Sequence, residues 1–573
     1  MIFNTKLMYV NCSKAGLNQY FCFMVKLKQL LFGLFILSSI VSKGQQDNSP
    51  KLVVGIVVDQ MCYEYLYRFS HKFSDHGFKV MMKDGANCRN MNFNYVPTYT
   101  GPGHASIYTG TTPSNHGIVA NDWFDRKLGR SINCVEDSSY STVGSASNAG
   151  SCSPINLKSN TITDQLKLTY PNAKVISMSI KNRGAILPGG HLSDGSFWYD
   201  YSSGNFITST YYMQELPTWV KQFNAQKYSE KYMSGTWNTL YDINTYTESG
   251  VDNSKYEHLL PGKETPTFPY NLKAMTAIEG VTAQGMLPYT PYGNTILTDL
   301  AISSILAEGL GQDNQTDMLC ISYSTPDIVG HAFGPYSKEI EDIYLRLDLE
   351  VEKLISYLKK SVGKKDFVIF LTADHAVVPV PQNLTDQGLP GGYVFMDTNM
   401  VQLKVAMTEK YGQALVLEQD NLNIYLNHDS ISILGLDLNE VVDFVAEYAI
   451  QWAGVKRVFT GGQLYNANVD DPWLNKVRNG YHHSESGDVV LILEPGYLPK
   501  GQDSELARKG TSHGSAYSYD THVPLLWYGN IIKEMEIFRP MNITDITSTL
   551  THLMYLQQVN AMTGRPIEEV LVD

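Results

Sequence analysis

The chain has 573 residues, 43% apolar and 18% charged, so it carries material for a sizeable core, and wholesale disorder is excluded. Lys and Arg number 44 against 57 Asp and Glu, a net charge of −13, which argues against a general binder of nucleic acid or anionic membranes. Seven cysteines are too few for a disulfide scaffold at this length.

Residues 1–44 contain five lysines (Lys6, Lys14, Lys26, Lys28 and Lys43) and no acidic residue. The basic stretch Met24–Lys28 leads into the apolar run Leu30–Leu37, continued weakly to Val41, and then into Ser42-Lys43-Gly44. Basic, apolar, small is the plan of a secretory signal peptide. The apolar run is short for a bilayer span, and an uncleaved anchor is the alternative. Met24 is the expected start, with an upstream extension before it. Without residues 1–44 the basic residues fall from 44 to 39 against the same 57 acidic ones, leaving −18. The expectation is an acidic, exported protein, periplasmic or secreted, with no stable membrane span after signal removal. Five cysteines then remain, Cys62, Cys88, Cys134, Cys152 and Cys320. Cys134 and Cys152 bracket a Ser/Gly-rich stretch that a disulfide could close, although spacing does not establish it.

Four short apolar runs each end on polar chemistry. Leu52–Val58 runs into Asp59, Lys174–Ile180 into Lys181-Asn-Arg183, Met318–Tyr323 precedes Asp327, and Phe367–Ala373 runs into Asp374-His375. Such runs, lacking alternation, predict strands of a parallel sheet covered on both faces. Ile340, Ile343, Leu347, Val351, Leu354 and Leu358 recur at helical spacing and predict an amphipathic crossover between the last two strands. The expected fold is therefore α/β: a doubly wound, mostly parallel sheet with helices on both faces. Ligands of such sheets bind beyond the carboxyl ends of the strands, where the polar residues gather here. Residues 45–573 are expected to form one domain. Two insertions over the strand ends are expected, at about 190–295, rich in Tyr, Thr, Trp, Gly and Pro, and at about 385–505, with Leu438–Trp452 as a helix.

Asp59 alone could simply cap a helix. Asp327 and His331, four residues apart, share one face of a helical turn. Asp374-His375 sit where a tight turn can aim both inward, and His513 lies in the loop Gly510-Thr-Ser-His-Gly514. Three aspartates and three histidines without cysteine suit zinc best, manganese or magnesium less well, and together they favour a two-metal site. Thr100 precedes Gly-Pro-Gly and a helix start, where N–H groups and the dipole favour an anion. A threonine hydroxyl becomes a nucleophile only if a base or metal activates it; otherwise Thr100 is an N-cap. Thr98 would face the same way on an extended strand and is not excluded. His104, His116 and the pair His482-His483 are read as structural.

In order and spacing, Asp59, Thr100, Asp327-x-x-x-His331, Asp374-His375 and His513 resemble the alkaline phosphatase superfamily. The similarity runs from Lys51-Leu-Val-Val-Gly-Ile-Val-Val-Asp-Gln-Met61 to Gly564-Arg-Pro-Ile567. It includes Val96-Pro-Thr-Tyr-Thr100, His116-Gly-Ile-Val-Ala-Asn-Asp-Trp123 and Tyr519-Asp-Thr-His-Val-Pro-Leu525. The branch it looks like is the exported, phosphate-irrepressible alkaline phosphatases with a threonine nucleophile; Ala376 stands where relatives often have Gly. The resemblance implies two zinc ions, one on Asp327, His331 and His513, the other on Asp59, Asp374, His375 and the Thr100 oxygen. It implies a phosphothreonine intermediate on Thr100, with Asn121, Lys181 and Arg183 on the phosphoryl oxygens. The expected substrates are small phosphate monoesters, hydrolysed by a monomer without a nucleic-acid partner.

A nucleotide pyrophosphatase/phosphodiesterase would share the metals, the threonine and the asparagine. The pair Lys181 and Arg183 separates the two, because a monoester presents extra anionic oxygen for two cations to match. A sulfatase would need Cys-x-Pro-x-Arg, and Cys152-Ser-Pro-Ile-Asn156 lacks the arginine. An exported metal-binding protein without catalysis would be expected to close its coordination sphere.

Overall fold

The computed structural model describes residues 49–466 and 471–571. The segment read as extension and signal peptide lies outside the described residues. No described helix is long and apolar enough to cross a membrane.

The central sheet contains β1 (Leu52–Val58), β2 (Ala86–Cys88), β3 (Thr142–Val143), β4 (Val175–Ser179), β5 (Gly195–Tyr199), β6 (Phe206–Ser209), β7 (Asp317–Tyr323), β8 (Phe367–Thr372), β9 (Leu525–Gly529) and β10 (Met535–Ile537). Their spatial order is β10-β2-β9-β8-β1-β7-β4-β5-β6-β3. The segment β8-β1-β7-β4-β5 is parallel throughout, and antiparallel β9 and β6 flank it. Every residue of β1, β4, β7 and β8 is buried, as continuous apolar runs require when both faces are covered.

The helices of this α/β layer include α1 (Thr100–Thr109), α2 (Asn182–Gly189), α3 (Tyr292–Glu308), α4 (Thr325–Phe333) and α5 (Lys338–Leu358). Ser337 caps α5 by accepting from the Ile340 N–H at 3.2 Å. The apolar stripe from Ile340 to Leu358 is fully buried, and α5 carries the chain from β7 past β1 to β8. Register keeps the strand ends level: Val58 pairs with Tyr323, Val57 with Thr372, and Ser322 with Ser179. Residues that come directly after these strands are delivered to one rim.

The central sheet runs further than composition suggests. Gly195–Tyr199 and Phe206–Ser209, inside the stretch expected to be an insertion from about residue 190, extend it as β5 and β6. The aromatic-rich remainder packs on α5 through ring bodies with polar tips. Trp237 Nε1 and Tyr246 Oη donate to Asp342 at 2.7 and 2.6 Å, and Tyr270 Oη donates to Glu339 at 2.5 Å. Within 385–505, the strands Val416–Asp420, Asn423–Leu426, Val489–Leu493 and Val455–Thr460 form a separate antiparallel sheet in that order. Helix α6 (Leu438–Ala449) covers it through Val441 and Val445, which share an apolar cluster with Leu403, Leu426 and Leu491. The turn of its first hairpin holds Asn421 at φ 54°. There Asn421 Nδ2 donates to the Asp122 carbonyl at 2.8 Å, and Ser131 Oγ donates to Asp420 at 2.6 Å. The hairpin thus braces the loop that carries Asn121. Cys134 and Cys152 are buried free thiols, so the disulfide considered between them is not formed.

Glu257, in the aromatic-rich stretch, and Glu339, in the first turn of α5, are 3% and 0% exposed, and one carboxyl oxygen of each lacks a hydrogen-bond partner among the described residues. Burial, then Glu339, pushes Glu257 up to about 10; burial raises Glu339 to about 8 against its bond from Tyr270. The folded state holds protons that an unfolded glutamate releases near its ordinary 4.5, so stability falls as pH climbs from there towards 8–10. Glu257→Gln removes that titration. Thermal unfolding should show the variant gaining on the wild type by at least about 1.4 kcal/mol between pH 5 and pH 9, the worth of one pKa unit. A difference independent of pH would disprove the assignment.

Candidate active site

Level strand ends bring the predicted polar residues together. Asp59 directly follows β1, Asp374 and His375 follow β8, Lys181 caps α2 after β4, and Asp327 and His331 sit one turn apart on α4 after β7. Thr100 opens α1 after extended Tyr99. His513 enters from a loop far along the chain. Two groups form, Asp327, His331 and His513, and Asp59, Asp374 and His375; within each, one ligand atom per residue lies within 4.8 Å of the others.

Each histidine is oriented by its backbone partner. The Nδ1 atoms of His331, His375 and His513 donate to the carbonyls of Thr511, Ala376 and Thr98 at 2.8, 2.9 and 2.7 Å. With Nδ1 engaged in this way, each Nε2 is the ring nitrogen turned towards the carboxylates, the atom a metal ion would take once it is deprotonated. His331 Nε2 lies 3.1 Å and His513 Nε2 3.7 Å from Asp327 Oδ1; His375 Nε2 lies 3.4 Å from Asp59 Oδ1. Asp59 Oδ1 and Asp374 Oδ2 are buried without a hydrogen-bond donor among the described residues. Two acceptor-rich pockets of carboxylate oxygen and imidazole nitrogen fit divalent cations well.

The electrostatics follow from three carboxylates sharing few cations. Burial, then Asp327 and Asp374, raises Asp59. Burial works against charge at Asp327 too, but His331 and Lys181 hold it well below the carboxylate range. Asp374 is lowered in the same way against burial, by His375 and by His104. Burial disfavours protonated His375, yet Asp374 and Asp59 raise it to about 9; its stacked neighbour His513, 3.5 Å away between ring centres, is driven well below 6.5 by burial and by His375. Lys181 Nζ bridges the groups, 2.7 Å from Asp59 Oδ2 and 2.5 Å from Asp327 Oδ2. Those carboxylates outweigh burial and keep it charged.

The structure separates the two threonines. Thr98 Oγ1 donates to the Ser515 carbonyl at 2.9 Å, whereas Thr100 Oγ1 lies 3.5 Å from His375 Nε2. Asn121 Oδ1 accepts the Gly101 N–H at 2.7 Å, leaving its NH₂ free to donate elsewhere. Arg183 Nε is buried without an acceptor among the described residues. Gly103 lets α1 approach the ligand turn, since a Cβ there would sit 2.2 Å from the Asp374 carbonyl.

His104, read as structural, lies closer to the site than that reading implies. Its Nδ1 is 2.9 Å from the Thr100 carbonyl and 3.3 Å from Asp374 Oδ2, and its Nε2 is 2.8 Å from Ser322 Oγ. His116 bonds Ser106 and the Ile118 N–H, and His482 stacks on His483. Gln60 is the residue that sequence reasoning misses, although it contacts aspartates of both groups. Its only signal there is adjacency to Asp59.

The chain is similar to known proteins over most of its length. Residues 53–516 match the family "Type I phosphodiesterase / nucleotide pyrophosphatase". The chain is 39% identical to alkaline phosphatase PafA of Elizabethkingia meningoseptica, across 96% of this chain and 100% of that one. It is 40% identical to alkaline phosphatase PhoV of Synechococcus elongatus, across 91% and 93% of the two chains. The crystal structure of PafA superposes with a TM-score of 0.87 at 40% identity, covering 91% of this chain and 99% of that one. The level strand ends, the two ligand groups and a match over nearly the whole length lead to one assignment: the chain belongs to the type I phosphodiesterase/nucleotide pyrophosphatase family, within the alkaline phosphatase superfamily.

Proposed function

We propose that this protein is an exported alkaline phosphatase that hydrolyses phosphate monoesters through a phosphothreonine on Thr100. The observation that carries the reading is the place of Thr100 Oγ1, buried at the start of α1 and 3.5 Å from His375 Nε2, beside two Asp/His groups. Similarity to PafA and PhoV, both alkaline phosphatases by name, points the same way.

Asp327, His331 and His513 would hold one zinc ion, and Asp59, Asp374, His375 and the Thr100 hydroxyl the other. When bound, such ions act as Lewis acids that lower the pKa of an alcohol and offset charge on phosphoryl oxygens. The Thr100 hydroxyl oxygen attacks phosphorus and gives up its proton to solvent, forming the Thr100–phosphate bond as the bond to the leaving oxygen breaks. That oxygen takes up a proton from water to depart as the alcohol. Water then cleaves that ester, releasing inorganic phosphate and restoring the hydroxyl. Asn121, fixed by Gly101, donates its NH₂ to a phosphoryl oxygen. Lys181 and Arg183, at the start of α2, supply fixed positive donors for the remaining oxygens. The phosphodiesterase reading rests on the same metals and threonine. Two cations at the end of a rigid strand favour the monoester dianion over a diester, one of whose oxygens is substituted.

Dialysis against a chelator should abolish phosphatase activity, and two equivalents of zinc should restore it; metal-free protein that retains full activity would sink the proposal. Thr100→Ala should lose most turnover with an unchanged fold. Acid quench and mass spectrometry of the wild type should find phosphate on Thr100 and nowhere else. Each charge-assisted hydrogen bond is worth about 1.5–3 kcal/mol, or one to two decades in rate. Lys181→Ala/Arg183→Ala should therefore lose several decades of kcat/KM for an aryl monoester but far less for the matched diester. Equal losses would mean that the pair does not set specificity.

A further inference from the structure

Gln60 has no part in the chemistry above, yet its place is unusual. It is 3% exposed, and its backbone is left-handed, with φ 68°, a conformation that side chains other than Gly, Asn and Asp seldom adopt. Its Nε2 donates to Asp327 Oδ1 at 2.6 Å, and its backbone N–H donates to Asp374 Oδ1 at 3.2 Å. One residue therefore holds an aspartate from each ligand group. The side chain runs against Gly330 on α4, where a Cβ would lie 1.9 Å from Gln60 Oε1, so the helix is made bare at that point to admit the amide. The Gln60 carbonyl faces Tyr344 Oη of α5 at 3.5 Å.

We propose that Gln60 is a positioning residue that orients Asp327 for metal binding and fixes its group relative to that of Asp374. This rests on the two-metal reading above. The oxygen that Gln60 Nε2 contacts, Asp327 Oδ1, is also the one nearest His331 Nε2 and His513 Nε2, at 3.1 and 3.7 Å. An amide donor there selects which carboxylate oxygen faces the imidazoles and stops the carboxyl from rotating. The left-handed backbone aims the N–H at Asp374 while the side chain reaches Asp327, a split that regular extended backbone after β1 would not give. Removing an outer partner of a metal ligand typically weakens binding 10–100-fold.

The test is a stepwise chelator titration of the full-length protein, reading both zinc dissociation constants, with kcat/KM at limiting and saturating zinc. Gln60→Met keeps the length of the side chain but loses the donor without adding charge. Gln60→Gly relieves the backbone and keeps the N–H bond to Asp374, so it guards against a folding failure of the first variant. In both, one dissociation constant should rise 10–100-fold while the other moves less than about threefold, and saturating zinc should recover most of the lost kcat/KM. Unchanged constants, or equal weakening of both accompanied by a lower Tm, would overturn the proposal. A wild-type protein that binds fewer than two ions would instead refute the two-metal reading itself.

Discussion

Asp59, Asp327 and Asp374 repel one another in an interior that screens charge poorly, and the surrounding architecture answers that repulsion carboxylate by carboxylate. Lys181 touches Asp59 and Asp327, Gln60 touches Asp327 and Asp374, and His104 touches Asp374. The sheet sets up the repulsion: the register of β1 and β8 puts Asp59 and Asp374 at one level, and the first turn of α4 after β7 brings Asp327 to the same rim. Hydrophobic burial of four apolar runs thus fixes where the charges are, and those charges decide which donors must surround them.

The parts of this architecture that declare themselves locally are the parts the sequence discloses. β1 and β8 are written as nearly unbroken apolar runs, β4 and β7 as apolar runs interrupted by small hydroxyls, and α5 as a helical stripe, because each is buried along its length. The short strands β2, β3 and β10 have no such signature; pairing with longer neighbours makes them strands. Composition hides β5 and β6, because aromatic and hydroxyl residues suit a sheet's flank as readily as a loop. The ligand residues are legible because Asp and His at strand ends are chemically conspicuous. Gln60 and His104 are not, since a neutral amide and a buried imidazole gain meaning only when the three-dimensional partner is known.

The 385–505 stretch braces the loop of Asn121 from outside the central sheet. Its apolar cluster is separate from that of the central sheet, yet Asn421 and Asp420 reach Asp122 and Ser131 in the antiparallel pair Asp122–Asp125 and Arg130–Asn133 that follows Asn121. Trp123 reinforces this by donating to Glu485 at 3.1 Å. A loop beside a reactive hydroxyl is held from outside by a second layer whose own stability comes from elsewhere.

His513 gives the site a temporal order. Its Nδ1 bond to the Thr98 carbonyl joins residues 415 positions apart, whereas Asp59, Asp374 and His375 are all in hand once the chain has grown to residue 375. A nascent chain emerges N-terminus first. One ligand group is therefore complete while nearly two hundred residues remain to be made, and the other waits for the arrival of the closing loop. The finished pair of groups belongs to the released chain, the form in which all six of their residues are present.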